Sequence, residues 1–213
     1  MKRARVLLGD DHTIILEGVR RILEPLFDVV GAVADGRALV EAAEALHPDI
    51  VVADISMPLL NGIEVARLLQ KSHPEIKIIF LTMHPDPTYA AEAFRTGASG
   101  YVLKSSAAEE LVTAIQEALR GRVYVTPLVA GDVMHQLMQD PHAQEKVSAE
   151  LTQRQREVLQ LVAEGRSAKE IAEILKVSPR TVEFHKYRIM ETLGLHTTAE
   201  LTQYAVRHGI VGE

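Results

Sequence analysis

The sequence predicts two folded units in tandem: an α/β unit built on a five-stranded, doubly wound parallel sheet, then an all-α unit of four helices. Three observations carry this. Over the first 122 residues, short aliphatic runs alternate five times with helix-spaced segments. Beyond Leu151 no strand pattern survives. A chain of 213 residues is also about the length of two ordinary domains.

The strands read as Arg5–Gly9, 29–34, Ile50–Ala53, 77–81 and Gly100–Leu103, each ended by a polar or turn residue. The run Ile50–Ala53 and residues 78–81 are continuously apolar, as strands buried on both faces require. Helical spacing covers Thr13–Leu23, 37–46, 63–71, 88–96 and 107–120. After Gly121 the pattern changes. Residues 123–149 read as a linker, with one helix over Pro127–Gln139 and a polar tract at 140–148. The expected domains are therefore 1–122 and 150–213. In the second, Thr152 with Gln155, Ser167 with Glu170 and Thr197 with Glu200 are capping boxes, and Ser178-Pro179 is an N-cap followed by proline. Gly165, Gly194 and Gly209 fall where helices should stop. Residues 171–175 and Pro179–Leu193 are separated by the short turn Lys176-Val177-Ser178, a helix-turn-helix arrangement.

Composition narrows the function. Apolar residues at 47% and charged ones at 24% exclude wholesale disorder and a rod. No window is long and apolar enough to span a membrane, and the apolar run after the basic N-terminus is too short for a signal peptide. There is no cysteine, hence no disulfide, thiolate site or cysteine nucleophile, and a cytoplasmic location is expected. The net charge of −6 is unevenly spread: 13 basic against 17 acidic residues over 1–122, but nine against eight over 151–213. An acidic front and a locally basic back suggest two tasks.

Ligand sites in open α/β sheets lie at the carboxyl ends of the strands. Here those ends deliver Asp10-Asp11, Asp54, Thr82 and Lys104. One such aspartate alone is ordinarily a turn or cap residue, and one lysine a solvated amine. Three converging carboxylates, by contrast, repel one another and are best tolerated around a cation; oxygen-only donors favour Mg²⁺. A lysine and a threonine hydroxyl beside them suit the oxygens of a transferring phosphoryl group, and a carboxylate can be its nucleophile. His12 and His84 flank the site and read as polar packing, with His84 near enough to influence hydrolysis of an acyl phosphate.

Within Pro179–Leu193, a turn of 100° per residue puts Val182, His185, Ile189 and Leu193 on the core side. Arg180, Glu183, Phe184 and Tyr187 form the opposite stripe, flanked by Thr181, Lys186 and Arg188. In a major groove Arg reaches guanine, Glu accepts from cytosine, Phe meets a thymine methyl, and flanking cations meet phosphates. The stripe alone leaves open a face whose aromatics pack on the other unit.

Asp10-Asp11, Asp54 within Asp54-Ile55-Ser56-Met57-Pro58, Leu81-Thr82-Met83-His84, and Gly97 through Lys104 together resemble the receiver domain of two-component response regulators, over residues 4–121. That resemblance implies a flavodoxin-like fold and phosphorylation of Asp54 by a sensor histidine kinase. It implies Mg²⁺ held by Asp10, Asp11, Asp54 and the Ser56 carbonyl, with Lys104 on the phosphoryl group and Thr82 with Tyr101 as the switch pair. Leu151-Thr152, Arg154, Glu157-Val158-Leu159, Lys169 through Ala172, Ser178, Thr181-Val182, His185, Ile189 and Leu193-Gly194 resemble the LuxR-type DNA-binding domain over 150–211. The whole chain is thus similar to the NarL/FixJ family, which implies a homodimer when phosphorylated and a double-stranded DNA surface. That surface would comprise Lys169, Arg180, Thr181, Glu183, Phe184, Lys186, Tyr187 and Arg188. Departures are Pro85 and Pro87 where relatives carry acids, Gln155 for a common Glu, Ala168 for Asn and Thr192 for Lys.

Two other classes compete. A small-molecule phosphatase using an aspartyl phosphate would want two acids separated by one residue after the first strand, whereas Asp10 and Asp11 are adjacent. An NTPase lacks its Gly-Lys-Ser/Thr loop. A receiver carrying a protein-binding helical module is separated from the DNA-binding reading only by experiment.

Overall fold

A computed structural model describes residues 3–139 and 151–211. They form two compact units, one up to residue 139 and one from residue 151.

The first unit runs β1 (Arg5–Gly9), α1 (Thr13–Leu23), β2 (Asp28–Val33), α2 (Gly36–Leu46), β3 (Ile50–Ala53), α3 (Gly62–Ser72), β4 (Lys77–Thr82), α4 (Pro87–Arg95), β5 (Gly100–Leu103), α5 (Ala107–Leu119), β6 (Tyr124–Val125) and α6 (Pro127–Gln139). Every strand pairing is parallel, in the order β2-β1-β3-β4-β5-β6. Strand alternation splits the core in two. Leu7, Val51, Ala53, Phe80 and Tyr101 face one way, against Leu39, Leu69, Ala90 and Val133 of the helices. Val6, Leu8, Ile50, Val52, Ile79 and Leu81 face the other, against Val19, Leu23, Leu111 and Ile115. Each fully buried aliphatic side chain contributes about 1.5–3 kcal/mol, which is why the continuous runs in β3 and β4 form the centre of the sheet.

The sheet has six strands, not five. Tyr124 and Val125, which sequence reading assigned to a linker, pair with Gly100 and Tyr101. Without them the β5 edge would present unpaired N–H and C=O groups. The helix expected in 123–149 forms as α6, yet it is no free linker: Val129 and Val133 are buried in the core beside α4. The expected polar tract 140–148 lies outside the described residues.

The second unit has α7 (Gln153–Ala163), α8 (Ala168–Leu175), α9 (Pro179–Leu193) and α10 (Thr198–Arg207). All three expected capping boxes are present, and Ser178 accepts from the Thr181 N–H at 3.1 Å. Each such cap stabilises its helix by about 1 kcal/mol. Lys176 takes the left-handed conformation (φ 54°) and turns the chain between α8 and α9. Val158, Leu161, Ile171, Val182, Ile189 and Leu201 fill the core. Among the described residues no helix is long and apolar enough to cross a membrane.

Candidate functional site

The strand ends bring the expected acidic residues together. β1 stops at Gly9 and β3 at Ala53, so Asp10 and Asp54 emerge side by side; the Asp54 N–H donates to the Gly9 carbonyl at 2.8 Å. Asp10, Asp54 and Thr82 are buried, while Asp11 is exposed. Lys104, just past β5, puts its ammonium 2.7 Å from Asp10 Oδ2 and 2.8 Å from Asp54 Oδ2, with all three side chains at most 5% exposed. Burial alone would lower the lysine's pKa; its contacts with the Asp10 and Asp54 carboxylates outweigh that and hold the group above its ordinary value. It is a fixed cation.

Asp10 Oδ2 is engaged by that ammonium and by no other group among the described residues. Ligand atoms of Asp10, Asp11, His12 and Asp54 lie within 4.8 Å of one another. The set fits a hard divalent cation in the chemistry of its donors, which are mainly carboxylate oxygens. His12 Nδ1 sits 2.8 Å from Asp11 Oδ1 and 3.1 Å from Asp10 Oδ1.

Two glycines let the loop between β3 and α3 fold back on its own start and pack against α2. A Cβ on Gly62 would meet the Asp54 carbonyl oxygen at 2.2 Å, and one on Gly36 the Leu60 carbonyl oxygen at 1.8 Å. Only hydrogen fits at either place. Asn61 caps α3 through the Glu64 N–H, and Leu59 is held at φ 65°, a conformation costly for a branched side chain. Ser56, half-buried in this loop, bonds through Oγ to His84 Nε2 at 2.9 Å. His84 in turn stacks on Tyr89 at 4.6 Å. Sequence reading put His84 beside the site but found neither partner, since no spacing rule joins residues 28 and 5 positions apart in this way.

Tyr101 is fully buried, and its hydroxyl donates to the His84 carbonyl at 2.7 Å. The His84 N–H donates to Thr82 Oγ1 at 3.2 Å. The expected switch pair thus grips one residue from two sides. Burial first, then the charge of Asp86, pushes the Tyr101 phenol far above its usual range, so it stays a neutral donor. Pro87 occupies the first position of α4, where a missing N–H costs nothing, and Asp86 caps it.

In the second unit α9 carries the outward stripe as expected. Phe184 is 56% and Tyr187 65% exposed; Arg180, Glu183 and Arg188 are exposed and Lys186 half-buried. Lys169 is exposed on α8. Val182 and Ile189 are buried; His185 is half-buried, its ring edge on Phe184. Arg188 pairs with Glu191 at 2.6 Å and lies 5.8 Å from the Phe184 ring. The Thr181 hydroxyl is 2.8 Å from Ser178 Oγ, inside the helix cap.

Comparison with known proteins agrees with both halves of this geometry. Residues 6–116 match the model of the response regulator receiver domain, and residues 149–205 that of bacterial regulatory proteins of the luxR family. The chain belongs to the NarL/FixJ family of response regulators. Family members with full-length similarity include response regulator UvrY of Escherichia coli O6:H1 (36% identical, 96% of this chain and 94% of the relative). Transcriptional regulatory protein DegU of Brevibacillus brevis is 33% identical over 98% of this chain and 95% of its own. Among solved structures, the Salmonella typhimurium response regulator RcsB aligns at 30% identity and TM-score 0.64 over 98% of this chain and 99% of its own. The structure of an RcsB–DNA complex aligns at TM-score 0.59 and 29% identity over 95% of this chain and 98% of its own. The family is one of transcriptional regulators rather than typical enzymes, and its members share the parallel sheet and helical second domain found here.

Proposed function

We propose that the protein is a DNA-binding transcription regulator switched by phosphorylation of Asp54. The observation that carries the reading is the placement of Asp54: a buried carboxylate at the end of a central strand, with the Lys104 ammonium at 2.8 Å and two further acids beside it. Asp10 and Asp11 share one strand end and act as ligands; Asp54 has its own and is the nucleophile.

In the transfer, an Asp54 carboxylate oxygen forms the O–P bond as the P–N bond of a sensor kinase's phosphohistidine breaks. The imidazole nitrogen keeps the electron pair and takes up a proton. Lys104 holds the negative charge on the phosphoryl oxygens, and Thr82 offers a hydroxyl donor. Asp10, Asp11, Asp54 and the Ser56 carbonyl would hold Mg²⁺, which when bound neutralises charge on those oxygens. The only reactions of the chain are this transfer and slow hydrolysis of its own aspartyl phosphate.

DNA is read by α9. Arg180, Glu183, Phe184 and Tyr187 face base edges in the major groove, and Lys169, Thr181, Lys186 and Arg188 the backbone. The DNA complex of RcsB supports DNA as the partner of this domain. Phosphorylation promotes a homodimer that spans paired half-sites, with α10 at the contact; Thr202 and Val206 are only half-buried there. A structure of two RcsB dimers on DNA supports the stoichiometry. The protein acts in the cytoplasm.

Intact mass after incubation with acetyl phosphate and Mg²⁺ tests the site. One added phosphoryl group is expected on the wild type and none on Asp54→Asn; equal addition to both would overturn the assignment.

A further inference from the structure

The sixth strand is only two residues long, yet it and the threonine after it hold β5 through several hydrogen bonds. Tyr124 N–H donates to the Ser99 carbonyl at 3.1 Å and Thr126 N–H to the Tyr101 carbonyl at 2.9 Å. The Thr126 hydroxyl accepts from the Leu103 N–H at 3.1 Å and donates to Glu110 Oε2 at 2.6 Å. Thr126 is 1% exposed, so its own polar groups depend on these partners rather than on water. One side chain therefore ties together the end of β5, the first turns of α5 and the start of α6.

What it ties matters more than how tightly. Leu103 directly precedes Lys104, whose ammonium bridges Asp10 and Asp54. Tyr101, whose carbonyl Thr126 also holds, grips the His84 carbonyl with its hydroxyl. On the other side, Val129 N–H donates to the Thr126 carbonyl at 3.1 Å in the first turn of α6. Val129 and Val133 of that helix share a hydrophobic cluster with Tyr101 and with Ala90 and Ala93 of α4. Both routes out of the acidic site, through β5 and through α4, thus end on α6.

We infer that Thr126 is a positioning residue that transmits the state of Asp54 to α6, making β6 and α6 the output element of the first unit. The inference rests on the reading of Asp54 as phosphoacceptor. When Lys104 leaves its carboxylates for a phosphoryl oxygen, the backbone at Leu103 shifts, and the Thr126 hydroxyl cannot keep both Leu103 and Glu110 in place. A two-residue ladder is weak enough to yield where a longer strand would resist. Repacking of Val129 and Val133 on α4 then makes the change two-state rather than gradual. A purely structural Thr126 would contribute to folding and leave the response to phosphorylation unchanged.

The test compares full-length wild type, Thr126→Val and Thr126→Ser. Phosphoryl incorporation is followed by mass, and DNA affinity is measured with and without acetyl phosphate. Valine keeps the shape and loses the hydroxyl; serine keeps it. The wild type should gain affinity about 5- to 150-fold on phosphorylation, the usual span of allosteric coupling. Thr126→Val should incorporate phosphate to the same extent but respond at least about fivefold less, and Thr126→Ser should restore the response. An undiminished response in Thr126→Val would overturn the inference. Should the valine variant fail to fold, hydrogen exchange in the wild type decides: amides of residues 124–133 should change protection on phosphorylation, and unchanged protection refutes the role. Wild type that takes no phosphate at Asp54 refutes the underlying function instead, and the mass measurement separates the two failures.

Discussion

Lys104→Met removes the cation that the structure places between two buried carboxylates. At 2.7 and 2.8 Å each pair carries a gross attraction of about 6 kcal/mol at an effective dielectric of about 20. Desolvation of the three charges offsets most of that. Taking away the ammonium leaves Asp10 and Asp54 desolvated and mutually repelling, and breaking a buried pair in this way costs about 3–5 kcal/mol. Methionine matches the length of the stem, so little packing is lost. For a unit of this size each kcal/mol moves the melting point by about 2–5 °C, so the variant's first unit should melt about 10–20 °C lower in EDTA. Mg²⁺ at tenfold its dissociation constant should return about 1.4 kcal/mol to either protein, and should bind the variant more tightly because no ammonium competes. Calorimetry with and without Mg²⁺ reads both effects. A variant melting within about 2 °C of the wild type in EDTA refutes the claim that Lys104 holds the acidic cluster together.

Other expectations follow from the same geometry. Gly62→Ala drives a Cβ into the Asp54 carbonyl; it should cost about 1–3 kcal/mol and lower phosphoryl incorporation, both visible in one melting and mass series. Stability should fall above about pH 10: Lys104, with a raised folded pKa, stabilises below its unfolded value and loses that contribution as pH rises through the folded one. Tyr101, an acid held neutral by burial, resists ionisation in the fold and destabilises it over the same rise, so Tyr101→Phe should flatten the alkaline limb of a pH titration of melting. Phe184→Ala removes an exposed aromatic and no charge: binding to the cognate duplex should weaken by about 1–3 kcal/mol, with non-specific binding and its salt slope unchanged. Arg188→Ala should instead weaken all duplexes alike and reduce the salt slope by about one.

Much of this was written in local sequence. The buried run Ile50–Ala53 announces a central strand, and the acid that follows it announces a site, because strand ends are where the sheet leaves room for ligands. The caps at Thr152, Ser167, Ser178 and Thr197 are legible because a cap is a contact over three residues. What escaped was long-range or too short for a period. Tyr124-Val125 is two residues, below any alternation that can be recognised, and it becomes a strand only because β5 has an open edge. The run Pro127–Gln139 reads as a helix whose apolar residues are Leu128, Met134, Leu137 and Met138, but it is Val129 and Val133 that enter the core while Leu128, Met134 and Met138 stay exposed. The bonds Ser56–His84 and Thr126–Leu103 join residues far apart in the chain, and polar partners chosen by tertiary packing leave no spacing to read.

The central claim is that chemistry at Asp54 controls what α9 does on DNA. It is tested most directly by measuring the affinity of the full chain for its operator, at fixed salt, with and without acetyl phosphate and Mg²⁺, in wild type and Asp54→Asn. A gain of about 5- to 150-fold in the wild type, absent from Asp54→Asn, is predicted. An equal gain in both proteins, or none in a wild type shown by mass to be phosphorylated, contradicts the account.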